Sequence, residues 1–362
     1  MPYGHARKIK VLVVDDSALM RRQLSRLIER RAGFEVCLAR DGQHALDQCR
    51  SEAPDVVTLD INMPVMDGLT CLSHLLAEMS IPVIMVSSLT DKGALATFEA
   101  LELGAFDYVT KPEGTVSSNM ETLGDTLIDK IRAAVTAIPV SHEPPAHVAA
   151  PASPGRPTDT TAARTHGFAK PPSRKLVVFG VSTGGPGTME IILKALPGDF
   201  PVPIVIAQHM PARFTSVFAQ RLNDSCALEV REIGAPIALT PGVAYLARGD
   251  ADIRISQRRG TLTAKSVPSS DDYFWHPSVS RLVASACEAV SATGLIGVQL
   301  TGMGHDGAEE MARAYRDGAL TIAETEHSAV VYGMPRALVE QGGATVQCDK
   351  HQVADQLIHW LS

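Results

Sequence analysis

The sequence has no Cys-x-x-Cys pair, no surplus of positive charge, and no apolar run approaching the roughly eighteen residues of a membrane span. Each absence excludes something. Cys37, Cys49, Cys71, Cys226, Cys287 and Cys348 are scattered, most of them in apolar surroundings, so reduced core residues are expected in place of a zinc site or a disulfide framework. With 33 Lys and Arg against 40 Asp and Glu, the net charge of −7 argues against a nucleic-acid partner and gives no reason to expect an anionic membrane surface. The opening MPYGHARKIK lacks the apolar stretch of a secretory signal. A soluble, cytoplasmic protein with no direct membrane insertion is expected. Large apolar residues are almost missing from 139–173, which is rich in proline, alanine and small polar residues and cannot form a core. A flexible linker is therefore expected over 135–173, with His142, His147 and His166 as solvated residues, dividing a domain at 8–134 from a second at 174–362.

What is present reads as α/β in both halves. Before the linker, apolar strands at Lys10–Val14, Phe34–Ala39, Asp55–Leu59, Pro82–Val86 and Phe106–Val109 alternate with helical spacing, which predicts a doubly wound, flavodoxin-like sheet of five strands. Such sheets gather functional groups outside the carboxyl ends of their strands. There this chain places Asp15, Asp16, Asp60, Ser87 and Lys111. Three carboxylates crowded together call for a hard divalent cation such as Mg²⁺, and a carboxylate beside such a cation is a plausible phosphoryl acceptor. Ser87 and Lys111 would contact the phosphoryl oxygens.

After the linker, KLVVFGVSTGGPG reads as a buried strand, a glycine-rich turn bearing Ser182 and Thr183, and the start of a helix. Gly180-Val181-Ser182-Thr183-Gly184 fits G-x-S-x-G, a turn that presents a serine hydroxyl at a sheet edge. The same turn could hold a phosphate or a dinucleotide, although a dinucleotide fingerprint wants glycine where Ser182 stands. A nucleophilic serine needs a base, and the base needs an orienting group. His209 follows the next buried strand, and Asp306 lies in the glycine-rich turn after Leu295–Leu300. The rival order, Ser182 and Asp306 with a late His327 or His351, suffers because neither histidine clearly closes a buried strand. His276 and His359 are further histidines of this half, and His305 is too close to Asp306 to point the same way. Short strands are expected at Val243–Ala247, Asp252–Ser256 and Thr261–Ala264, with a helix over His276–Ala292.

VLVVDDS, LDINMPVMDG, MVSS and YVTKP together resemble a response-regulator receiver domain. That resemblance implies that Asp60 accepts phosphate from a sensor histidine kinase, and that Asp15, Asp16 and Asp60 hold Mg²⁺ with the Asn62 backbone carbonyl. It also implies that Ser87, Tyr108 and Lys111 relay the phosphorylated state. GVSTGG, AQHMP and LTGMGHDG, after a receiver and a linker, closely resemble the chemotaxis-type protein-glutamate methylesterases. The second resemblance implies Ser182 as nucleophile, His209 as general base and acid, Asp306 as the group holding the imidazole, and the Met303 amide with Thr183 for the oxyanion. It further implies methyl-accepting chemoreceptors as substrates, some deamidation of glutamine, no cofactor for the ester reaction, and an unphosphorylated receiver packed over the catalytic rim. Two other outputs are a domain that only binds partners and a nucleotide-binding oxidoreductase; the second lacks a ribose-binding acid about twenty residues on.

Overall fold

The computed structural model of the chain describes residues 7–111, 117–137 and 175–362, so the expected linker beyond residue 137, with His142, His147 and His166, lies outside the described residues. In the first half, β1 (Ile9–Val14), α1 (Ala18–Glu29), β2 (Phe34–Ala39), α2 (Gly42–Glu52), β3 (Val56–Asp60), α3 (Gly68–Glu78), β4 (Val83–Ser87), α4 (Asp91–Leu103), β5 (Asp107–Thr110) and α5 (Ser117–Thr136) alternate strictly. Their sheet is parallel throughout, in the order β2-β1-β3-β4-β5, as the doubly wound expectation requires. Helices cover both faces, which is why β3 and β4 are buried at every residue and read as unbroken apolar runs. Ser17, Asp41, Asp67 and Thr90 each accept a backbone N–H at a helix start, setting where α1 to α4 begin. The helix α5 runs to Thr136, past the expected boundary at 134.

The second half contains β6 (Leu176–Val181), α6 (Gly185–Ala195), β7 (Ile204–Gln208), α7 (Ala212–Ser225), β8 (Glu229–Ile233), β9 (Ile237–Ala238), β10 (Val243–Ala247), β11 (Ala251–Arg258) and β12 (Thr261–Pro268). There follow α8 (Val279–Val290), β13 (Leu295–Gln299), α9 (Ala308–Arg316), β14 (Leu320–Glu324), α10 (Met334–Glu340), β15 (Val346–Cys348) and α11 (Val353–Leu361). Seven strands make one parallel sheet, β15-β14-β13-β6-β7-β10-β8, while β11, β12 and β9 form a small antiparallel one. The periodicity missed β8, β9 and β15. The first lies at the sheet edge with alternating exposure, and the other two are only two and three residues long. The expected helix from His276 begins instead at Val279, because the Ser278 hydroxyl caps it by accepting the Arg281 amide. No helix among the described residues is long and apolar enough to cross a membrane.

The halves share a buried apolar core. The helix α4 packs on α6 and α7, with the Phe98 ring stacked on Phe218 at 5.2 Å and Tyr108 stacked on Phe214 at 4.8 Å. Arg221 of α7 pairs with Glu102, and Arg213 with Asp91 at 3.8 Å, around this aromatic contact.

Candidate functional site

Parallel pairing sets two clusters of polar side chains at strand ends. In the first half Val14 pairs with Leu59, Asp60 with Val86 and Ser87 with Thr110, so the residues just beyond these pairs share one rim. The ligand oxygens of Asp15, Asp16 and Asp60 fall within 4.8 Å of one another. Lys111 Nζ bridges the two buried acids, 2.8 Å from Asp15 and 2.9 Å from Asp60. Burial lifts the Asp60 carboxyl above its ordinary range, and Asp15 adds to the lift, while Lys111 and the Ile61 amide oppose it without cancelling it. Asn62 is exposed on the loop after β3. Ser87 is fully buried, and its hydroxyl donates to the Gly93 carbonyl at 3.1 Å instead of facing the acids. Tyr108 is also away from that rim, with its ring in the contact between the halves.

In the second half Val181 pairs with Gln208, and Gly180 with Gln299, so Ser182, His209 and the loop after β13 meet at one edge. Backbone bonds fix the meeting: the Ser182 amide donates to the Thr301 carbonyl at 2.9 Å, and the His209 amide to Val181 at 3.1 Å. Gly302 has no room for a side chain, since a Cβ would come 2.7 Å from the Ser182 Cβ and 2.4 Å from the Met334 sulfur. Gly184, at φ 76°, lets the turn enter α6 under Val330. Thr301 is fastened from behind, its amide donating to buried Glu324 at 2.8 Å and its hydroxyl to the Thr183 carbonyl at 2.8 Å.

His209 Nε2 lies 2.9 Å from Asp306 Oδ2. The same carboxylate accepts the amides of Val279 at 2.7 Å and Ser280 at 3.0 Å, both in the first turn of α8, where the helix dipole favours an anion. Burial pushes the Asp306 carboxyl up, but His209 and these two amides outweigh it and hold the group below its ordinary range. An ionised carboxylate only accepts, so Nε2 carries the hydrogen of this bond, and in the neutral ring Nδ1 is the nitrogen with the lone pair. That Nδ1 is buried and has no hydrogen-bond partner. His209 also lines a cavity between the halves of about 560 Å³, walled by Ser182, Thr183, Trp275 and Met303 on one side and by Tyr108 and Lys130 among others on the other. Among the described residues, neither the Thr183 nor the Met303 amide donates a hydrogen bond. His305, His327 and His351 are exposed and outside this cavity.

Sequence reasoning missed Trp275, whose ring stacks on His209, and the amides of α8 that hold Asp306. It also missed Glu324. A carboxylate closing a strand buried at four of its five positions was a visible signal for Glu324. Ser278 before an apolar helix was one for the cap.

The chain is similar to known proteins over both halves. The family described as CheB methylesterase matches residues 177–357, and the family described as response regulator receiver domain matches residues 11–117. The protein-glutamate methylesterase/protein-glutamine glutaminase 3 of Rhodospirillum rubrum is 49% identical over 359 residues, 98% of this chain and 96% of its own length. The corresponding protein 3 of Vibrio cholerae is 43% identical over 338 residues, 92% of this chain and 91% of its own. The crystal structure of the Thermotoga maritima CheB methylesterase catalytic domain is similar with a TM-score of 0.50 at 34% identity, over 52% of this chain and 99% of that one.

Proposed function

We infer the reaction from the premise that the chain belongs to the CheB methylesterase family, with a response-regulator receiver in the same polypeptide. It is a hydrolase of that family, and the oxidoreductase and binding-only alternatives fall away. Its reaction is hydrolysis of glutamyl γ-methyl esters on methyl-accepting chemoreceptors, releasing methanol. One observation carries the assignment: His209 Nε2 is engaged by Asp306, its buried Nδ1 has no hydrogen-bond partner, and the residue lines the same cavity as Ser182. Ser182 attacks the ester carbonyl as Nδ1 takes its proton, and Asp306 holds the imidazolium that results. The Met303 and Thr183 amides receive the oxyanion. Nδ1–H then protonates the departing methoxide, which leaves as methanol, and water, activated by the same nitrogen, attacks the acyl-Ser182 ester to release the acid and restore the serine. Glutamine amides, named in the relatives' second activity, suit the same steps with ammonia leaving.

The receiver half supplies the control. Asp60 is the phosphoryl acceptor from a sensor histidine kinase, and the carboxylates of Asp15, Asp16 and Asp60, with the Asn62 carbonyl, form an oxygen donor set suited to Mg²⁺. The ion, when bound, neutralises charge on the transferring phosphoryl group. Lys111 contacts Asp60, and the strand that precedes it, β5, carries Tyr108 and Thr110 into the cavity wall. A change at Asp60 thus reaches the lid over Ser182 along one short strand, with Ser87 reoriented from Gly93 towards the phosphoryl group.

The test is methanol release from methylated receptor membranes, with and without a small phosphodonor. Ser182→Ala is expected to abolish release, and Asp60→Asn to leave a low basal rate that the phosphodonor does not raise. Release by Ser182→Ala at the parent rate would remove the catalytic assignment; a parental phosphodonor response in Asp60→Asn would remove the switch.

Asp60 also makes a stability prediction. A carboxyl whose folded pKa lies above its unfolded value binds its proton more tightly when folded, so stability falls as pH rises from about 3.9 through the raised value. At pH 7 without metal, Asp60→Asn is therefore expected to melt a few degrees higher than the parent. Added Mg²⁺ should raise the parent's melting temperature more than the variant's. Equal Mg²⁺ shifts in a thermal scan would count against this metal site.

A further inference from the structure

Trp275 covers one face of the base. Its ring and that of His209 stack at 5.4 Å, 13° from parallel, and Phe274 meets the indole edge-on at 4.7 Å. A hydrogen bond from Nε2 to Asp306 fixes one corner of the imidazole but leaves the ring free to tilt about that bond. Tilting would swing Nδ1 away from Ser182, and a misplacement of about 1 Å at a reacting group costs on the order of a hundredfold. A flat partner against the ring face removes that freedom.

The stretch that follows Trp275 is pinned by two acids, Asp252 and Asp306. The next residue, His276, places Nδ1 2.9 Å from Asp252 Oδ1. Asp252, on β11 of the small antiparallel sheet, is buried and also accepts the Ser278 amide at 2.8 Å and Arg281 at 2.7 Å. Burial lifts its carboxyl, and these three donors more than reverse the lift, so it is an anion held among them. Ser278, anchored to Asp252 by its amide, turns its hydroxyl to Asp306 at 3.3 Å. The small sheet, which contributes nothing else to the rim, thereby sets the position of the segment that lies on the base.

We propose that Trp275 is a positioning residue of the ester hydrolysis, held by the Asp252–His276–Arg281 cluster so that its ring fixes the tilt of His209 and faces the imidazolium formed during proton transfer. The proposal rests on His209 being the general base. An indole face attracts a cation, and that cation exists only while the proton is on the ring, so the contribution falls on kcat and not on substrate binding. The other charged groups around the imidazole are Asp306 at its far edge and Asp250 and Lys130 across the cavity.

The experiment uses the full chain, activated with a small phosphodonor, on methylated receptor membranes. Trp275→Ala is expected to lower kcat about tenfold with KM unchanged within about twofold, and Trp275→Phe, which keeps a flat ring, to recover most of it. His276→Ala, which loosens the holder and leaves the indole in place, should show a smaller loss of the same kind. Trp360 is the only other tryptophan, so in a Trp360→Phe background the emission reports Trp275 alone. That emission should fall with decreasing pH over the same range in which kcat falls, and the step should vanish in His209→Gln. Parental kcat in Trp275→Ala, a change confined to KM, or an emission step that survives His209→Gln would each overturn the proposal. Failure of the underlying reaction looks different: Ser182→Ala would still release methanol whatever the tryptophan does.

Discussion

Asp306→Asn is expected to lower kcat for methanol release by roughly four orders of magnitude, the scale seen when a triad carboxylate becomes an amide, with little change in KM. The carboxylate accepts from Nε2, from two amides of α8 and from the Ser278 hydroxyl, so every contact it makes in the site is to a donor. Oδ2 accepts from both Nε2 and the Val279 amide, and Oδ1 from the Ser280 amide and the Ser278 hydroxyl, so an asparagine that keeps its oxygen on Ser280 and Ser278 turns its NH₂ towards His209 and the Val279 amide. The imidazole then accepts at Nε2 and carries its hydrogen on Nδ1, the tautomer that cannot take a proton from Ser182. Loss of turnover far larger than the small accompanying fall in thermal midpoint would be the signature. The carboxylate's folded pKa lies below its ordinary value, so its contribution to stability is complete above about pH 3.9 and is lost as pH falls through the lower folded value. The comparison therefore belongs at neutral pH. Turnover within tenfold of the parent would place the orienting role elsewhere.

Tyr108→Ala is expected to act in the opposite direction, raising the basal rate without phosphodonor about tenfold. Its ring stacks on Phe214 across the contact and lies in the wall of the cavity over Ser182. Offset aromatic pairs are worth about 0.5–1.5 kcal/mol beyond the area they bury, and a closed-to-open equilibrium shifts tenfold for each 1.4 kcal/mol. Tyr108 touches none of the groups that carry the reaction, so the fully activated rate should stay at the parent's value. A fall in both basal and activated rates, measured in parallel assays, would instead make Tyr108 part of the substrate site.

Ser182, His209 and Asp306 were legible because parallel βα units deliver strand ends to one rim in any order, and all three follow fully buried strands. The acid cluster was legible for the same reason. What stayed hidden depends on contacts between elements with no shared period. Trp275 reaches His209 from the irregular stretch before α8, and the register of that stretch is set by Asp252 in a different sheet. Ser87 was placed at the correct strand end, but which way its hydroxyl points depends on the Gly93 carbonyl of α4, which strand periodicity does not encode. The packing of Phe98 on Phe218 is equally silent in the sequence, since an apolar residue facing a partner domain looks like one facing its own core.

The missing side chain at Gly302 bears on how the two halves divide their labour. With the Ser182 Cβ against that space and the Ser182 amide bonded to Thr301, the Ser182 side chain and the Met303 loop are held as one piece. Withdrawal of the receiver leaves that piece intact, because every bond that fastens it lies within the second half. Phosphorylation, on this construction, sets the fraction of molecules whose door is open, and each open molecule turns over at the same speed.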